Sequence, residues 1–103
     1  YRIVPMQSVK VTEVPQGAQL IDVREPEEYT DIHATGAVSM PMSSIVGNTG
    51  DIDPDRDIYV ICKAGGRSLR VAEYLEQALG WDNVINVEGG TDAWVAAGLP
   101  TEK

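Results

Sequence analysis

Cysteine and histidine are nearly missing from this 103-residue chain, which has one of each, Cys62 and His33. One cysteine excludes an intramolecular disulfide framework and a cysteine-rich zinc site, and one histidine leaves no His/Cys metal cluster. We therefore expect neither a metal site nor a cofactor. A solitary thiol also fits a reducing compartment, and no secretory leader is visible at the start of the chain, so we expect a cytoplasmic protein.

Basic residues are scarce as well. Eight Lys and Arg stand against sixteen Asp and Glu, for a formal net charge of -8 at pH 7. This charge repels nucleic acid phosphates and anionic membrane surfaces, so we expect no nucleic acid and no membrane partner. Apolar runs such as residues 58–62 are far shorter than the roughly 20 residues that cross a bilayer. We expect a soluble protein in which any anion-binding site is local.

Enough apolar material remains for one folded domain. Hydrophobic residues make up 43% of the chain, which supplies a core and is too much for a disordered segment. Independent domains usually have roughly 100 to 150 residues. The sequence therefore predicts a single domain over residues 1–103.

Short strands and helices alternate along the chain. Apolar runs predict strands at residues 9–14, 18–23, 37–40, 58–61 and 84–87. Helices are predicted to begin at Pro26 behind a capping Glu25, to span residues 68–79, and to begin again after Thr91 as N-cap; residues 42–56 read as a helix fragment plus loop. This alternation predicts an α/β fold with a mostly parallel sheet and helices on its faces.

The carboxyl ends of parallel strands meet at one edge of a sheet, where ligands bind in such folds. Three predicted strands end near polar or glycine residues: Asp22 and Arg24 at the end of the second strand, the segment that begins at Cys62, and residues 88–90. We expect them to lie together, with Asp22 and Arg24 as supporting residues, because an aspartate at a buried strand end usually fixes loop backbone or pairs with an arginine. His33 is left outside this site.

One loop in that group carries an anion-binding pattern: Cys62, Lys63, Ala64, Gly65, Gly66, Arg67 and Ser68. Its two glycines allow backbone conformations that turn N–H groups inward. The positive end of the following helix and the two basic side chains stabilise a thiolate and lower the cysteine pKa. We predict that Cys62 is a nucleophile and that the other six residues bind its substrate anion. An inert buried thiol is the alternative, but it needs no such loop behind it.

Four blocks of the chain resemble the rhodanese-like domain family. They are Leu20-Ile21-Asp22-Val23-Arg24 with Glu28-Tyr29, His33 with Gly36-Ala37, the loop from Cys62 to Ser68, and Gly89-Gly90 with Ala93-Trp94. Residue types, order and spacing agree in all four. The resemblance implies a small three-layer α/β rhodanese-like fold with a mostly parallel central sheet flanked by helices, and Cys62 as the sulfur-accepting nucleophile. The short spacing between Val14 and Leu20 implies that the helix usual after the first strand is missing or a single turn.

Loop length points to the reaction within that family. Cys62 to Arg67 counts six residues, as in the sulfurtransferases, whereas related phosphatases and arsenate reductases have one more. The resemblance implies transfer of sulfane sulfur from a small anionic donor such as thiosulfate, through a persulfide on Cys62, to cyanide, a thiol or a protein acceptor. Lys63 and Ala64 differ from the arginine and hydroxyl residue of thiosulfate-using members. A thiolate phosphatase or arsenate reductase and a low-turnover sulfur carrier or binding module remain the alternatives.

Overall fold

The chain folds as a parallel sheet between two layers of helices. A computed structural model describes residues 6–103. In chain order the strands are β1 (Ser8–Lys10), β2 (Gln19–Asp22), β3 (His33–Ala34), β4 (Val38–Ser39), β5 (Ile58–Ile61), β6 (Val84–Glu88) and β7 (Thr101–Glu102). Five of them form the main sheet in the order β1-β6-β5-β2-β4, with neighbours parallel. The predicted α/β fold with a mostly parallel sheet is confirmed.

Within residues 6–103, three α-helices and three 3₁₀ helices connect these strands. The α-helices are α1 (Pro26–Asp31), α2 (Gly66–Leu79) and α3 (Gly90–Ala96), and the 3₁₀ helices are Val11–Glu13, Met42–Gly47 and Thr49–Asp51. Among residues 6–103, no helix is both long and apolar enough to span a membrane.

Both faces of the sheet are covered, which explains why all four residues of β5 are buried. Side chains alternate between the faces along a strand. On one face Val60 and its neighbours pack against α2, and on the other Tyr59 and Ile61 pack in a core that includes Trp94 of α3. Cys62 follows β5 directly and belongs to the core on the α2 side.

Local sequence accounts for where α1 begins and where α2 ends. Glu25 precedes α1, Pro26 takes its first turn, and the Glu28 carboxylate accepts a hydrogen bond from the Glu25 N–H at 3.0 Å. Proline favours this position because its φ is already helical and no N–H is lost from the ladder. Helix α2 ends where Gly80 takes the left-handed conformation, with φ +72°.

The structure corrects two predicted features and adds two strands. The strand predicted at residues 9–14 ends at Lys10, because Val11–Glu13 forms a 3₁₀ turn whose Glu13 carboxylate accepts the Lys10 N–H at 2.8 Å. Thr91 is not the N-cap of α3: that position is Gly89, with φ +79°. Strands β3 and β7, which were not predicted, pair antiparallel as a separate two-stranded sheet.

Candidate active site

The loop after β5 lies at the carboxyl ends of β5 and β6. Cys62 follows β5, and Gly90 at the start of α3 follows β6. The N–H groups of Thr91 and Asp92 donate to the carbonyls of Cys62 and Lys63 at 2.7 and 3.0 Å, and the Thr91 hydroxyl donates to the Cys62 carbonyl at 3.0 Å. The first turn of α3 therefore holds the backbone of the loop through donors that have no partner inside the helix.

These contacts also set the direction of the loop N–H groups. In a trans peptide the C=O and the following N–H point in opposite directions. With the carbonyls of Cys62 and Lys63 turned toward α3, the N–H groups of Lys63 and Ala64 point away from α3. The Ala64 N–H is among the groups that stabilise the Cys62 sulfur.

The Cys62 sulfur is surrounded by hydrogen-bond donors. The Gly65 N–H donates to Sγ at 3.0 Å, and Ser68 Oγ lies 3.2 Å from it. Burial raises the pKa of the thiol, since Cys62 is only 1% exposed, but the Ser68 hydroxyl and the N–H groups of Ser68, Gly65 and Ala64 lower it by more. The net result is a pKa below the ordinary cysteine value, as a thiolate nucleophile requires.

The two loop glycines have different roles. Gly65 has φ +112°, a backbone conformation that residues with a Cβ rarely adopt, and it precedes the first turn of α2. Gly66 has no positive φ, and a Cβ placed on it meets no atom within 4 Å. The special backbone conformation expected of both glycines is therefore present at Gly65 alone.

Both basic side chains of the loop form ion pairs. Arg67 donates two hydrogen bonds to the Glu28 carboxylate, at 2.7 and 3.0 Å, and these bonds lower the pKa of Glu28 to about 2. Lys63 Nζ lies 2.8 Å from Asp92 Oδ2, with both side chains more than half exposed. An anion entering the loop therefore meets cations that already have carboxylate partners.

Asp22 and Arg24 form a buried pair beside the loop. The Asp22 carboxylate accepts the Arg24 backbone N–H at 3.0 Å and the guanidinium at 2.8 to 3.1 Å. Arg24 also donates to the Ile32 carbonyl at 2.7 Å. Both residues thus hold the turn after β2, and their charges are satisfied within the protein.

His33 lies in the small β3–β7 sheet, which is separate from the main sheet that carries Cys62. Its ring stacks on Tyr29 with a 3.7 Å centroid separation, its Nδ1 is 2.8 Å from the Tyr29 carbonyl, and its Nε2 is 3.5 Å from the Glu102 carboxylate.

The sequence model of the rhodanese-like domain matches residues 10–97, which is most of the chain. The chain belongs to the rhodanese-like domain family. A protein of Allochromatium vinosum named sulfurtransferase is 37% identical over 81 residues, which cover 79% of this chain and 75% of that protein.

Solved structures share this fold, among them some described as rhodanese-like domains. A crystal structure of a Staphylococcus saprophyticus protein has a TM-score of 0.81 at 39% identity, covering 92% of this chain and 99% of that one. The thiosulfate sulfurtransferase of Pseudomonas aeruginosa has a TM-score of 0.83 at 26% identity, covering 94% of this chain and 20% of that one. The rhodanese-like fold expected from the four sequence blocks is confirmed.

Besides the carboxylates that pair with Lys63 and Arg67, Asn86 and Thr91 of this rhodanese-like domain contact the site, although neither was predicted to do so. Asn86 Oδ1 lies 2.6 Å from Ser68 Oγ, and the Thr91 hydroxyl contacts the Cys62 carbonyl. Asn86 is buried and interrupts the apolar run of β6. A polar residue in a strand that is covered on both faces needs a hydrogen-bond partner, and this was the feature of the sequence that could have indicated its contact. Thr91 offered no signal apart from its place after two glycines.

Proposed function

We propose that this rhodanese-like domain is a sulfurtransferase that carries sulfane sulfur as a persulfide on Cys62. Family membership and the relative named sulfurtransferase support this type of function. The observation on which the proposal depends is the Cys62 sulfur itself, buried yet with a lowered pKa because the Ser68 hydroxyl and loop N–H groups surround it. A thiolate is the form of cysteine that attacks sulfur.

In the loading step the Cys62 thiolate attacks the outer sulfur of a donor such as thiosulfate. A bond forms between Sγ and that sulfur, the sulfur–sulfur bond of thiosulfate breaks, and sulfite leaves with the bonding electron pair. In the unloading step a cyanide ion or a thiolate attacks the terminal sulfur of the persulfide, and Cys62 leaves as a thiolate. No histidine base is needed, because the sulfur begins and ends the cycle ionised.

Lys63 and Arg67 are the groups proposed to hold the sulfonate of the donor. The Lys63–Asp92 pair is solvent-exposed, and exposed pairs contribute roughly 0 to 1 kcal/mol, so an anion displaces Asp92 at little cost. Arg67 has five N–H donors and gives two of them to Glu28, so its guanidinium retains donors for the oxygens of a sulfonate. The loop N–H groups, including those of Gly65 and Ser68, then stabilise the terminal sulfur anion.

Intact-protein mass after incubation with thiosulfate tests this proposal. We expect wild type to gain one sulfur atom, Cys62→Ala to gain none, and cyanide to remove the sulfur as thiocyanate. Sulfur that loads but is discharged by neither cyanide nor thiols identifies a carrier. Absence of sulfur uptake together with Cys62-dependent hydrolysis of a phenyl phosphate ester identifies a phosphatase and refutes the proposal.

A further inference from the structure

Ser68 faces three acceptors with a single hydroxyl hydrogen. Its Oγ lies 2.6 Å from Asn86 Oδ1, 3.1 Å from the Gly65 carbonyl and 3.2 Å from the Cys62 sulfur. A hydroxyl donates one hydrogen bond and accepts two. The Gly65 carbonyl also accepts the Leu69 N–H at 3.2 Å and does not depend on Ser68. The hydrogen therefore goes either to Asn86 or to the sulfur.

The direction of that hydrogen is tied to the charge on the sulfur. When Cys62 is a thiol, its S–H donates to Ser68 Oγ and the Ser68 hydrogen points to Asn86 Oδ1. When Cys62 is a thiolate, the Ser68 hydrogen is needed at the sulfur. Two oxygens 2.6 Å apart with no hydrogen between them repel each other, so the carbonyl oxygen of Asn86 cannot stay where it is.

Asn86 can resolve this conflict because a carboxamide has an acceptor at one end and a donor at the other, with nearly the same shape. A half-turn of the amide group places Nδ2–H against Ser68 Oγ. Ser68 then accepts from Asn86 and donates to the thiolate. Cys62, Ser68 and Asn86 are 1%, 0% and 5% exposed, so bulk water does not supply the missing donor.

We propose that Asn86 is a positioning residue that turns the Ser68 hydroxyl toward the Cys62 sulfur by switching from acceptor to donor when the thiol ionises. This inference rests on the proposed function, because the thiolate that Asn86 would help to stabilise is the form of Cys62 that attacks the sulfur donor. Asn86 touches no substrate and acts through Ser68 alone.

A double-mutant cycle on the pH dependence of Cys62 alkylation by iodoacetamide tests the proposal. Asn86→Asp keeps the shape of the side chain but, as a carboxylate, has no N–H to donate to Ser68 Oγ, so the Ser68 hydrogen stays turned away from the sulfur. The other charged groups around the loop are the same in every variant: Arg67, Glu28, Lys63, Asp92, Asp22 and Arg24.

The comparison is made at a pH below the midpoint of Cys62 ionisation in the wild-type protein. There we expect Asn86→Asp and Ser68→Ala each to slow alkylation about tenfold, since each variant loses a hydrogen bond to the charged sulfur. The double variant should match Ser68→Ala alone within about twofold. Effects that multiply to about a hundredfold mean that the new carboxylate acts directly on the sulfur, and they overturn the proposal. So does an Asn86→Asp protein that reacts like wild type.

A measurement on the wild-type protein covers the case in which a variant fails to fold. In the NMR spectrum, we expect a nuclear Overhauser effect between the Asn86 side-chain NH₂ and the Ser68 β hydrogens above the Cys62 midpoint, and its loss below that midpoint. An unchanged effect across the titration shows that the amide does not turn, and refutes the proposal. Neither experiment uses a sulfur donor, so both are independent of whether thiosulfate loads the protein.

Discussion

Gly90 is the position where a single methyl group tests how the loop is held. A Cβ on Gly90 lies 2.5 Å from the Cys62 carbonyl oxygen and 2.5 Å from the carbonyl carbon and oxygen of Lys63. These are backbone atoms that cannot rotate aside. Gly90 also has φ +59°, so Gly90→Ala adds left-handed strain of roughly 1 to 2 kcal/mol. Overpacking adds about 1 to 3 kcal/mol, for a total of about 2 to 5 kcal/mol.

Gly80→Ala is the matched control. Gly80 has φ +72°, and its Cβ meets no atom within 4 Å, so only the strain of roughly 1 to 2 kcal/mol applies. Urea denaturation measures both free energies of unfolding, and the alkylation rate of Cys62 in the folded proteins reports on the loop. We expect Gly90→Ala to be the less stable variant and the only one with slowed alkylation, because its methyl group displaces the carbonyls that Thr91 and Asp92 hold. Equal losses of stability, or normal alkylation in Gly90→Ala, contradict this account of the loop.

Two further variants test the ion pairs. Asp22→Asn leaves the Arg24 charge buried without its partner, so we expect the free energy of unfolding in urea to fall by about 3 to 5 kcal/mol. The control is Asp82→Asn at an exposed position, which should lower it by less than about 0.5 kcal/mol. A similarly small loss for Asp22→Asn refutes the pairing. The pKa of Glu28 is lowered to about 2, so its ion pair stabilises the fold above the unfolded pKa of about 4.3 and is lost as the pH falls toward 2. We expect Glu28→Gln to remove this acid-dependent contribution to stability, which is about 1 kcal/mol after solvent screening. Glu27→Gln in the same helical turn should leave the contribution unchanged. Identical acid-unfolding curves for Glu28→Gln and wild type contradict the assignment.

The regular elements nearest the sulfur were predictable from local pattern. Residues 58–61 form a strand as predicted, since an unbroken β-branched and aromatic run is typical of a strand covered on both faces. The prediction for α2 missed its start by two residues, because Gly65 and Gly66 read as loop although Gly66 begins the helix. Strands β3 and β7 were missed because each has two residues, too few to show any periodicity.

The partners of Lys63, Arg67 and Ser68 in the Cys62 loop were not predictable in the same way, whereas the expected role of Asp22 in pairing with an arginine was. Arg67 and Lys63 were expected to face a substrate anion, yet Glu28 and Asp92 pair with them from 39 and 29 residues away along the chain. Asn86 reaches Ser68 across 18 residues. No local pattern reports which side chains meet after the chain has closed such loops.

The sequence alone determined the alternation of strands and helices nearest the sulfur, the place of Cys62 at the end of a buried strand, and the family. These depend on residue type and spacing over a few residues. Only the tertiary structure decided which donors surround the sulfur, which carboxylates neutralise the loop cations, and which turn of α3 holds the loop backbone. The physical reason is that a hydrogen bond forms only when donor and acceptor come within about 3 Å of each other. Their partners are therefore set by the packing of distant segments against one sheet.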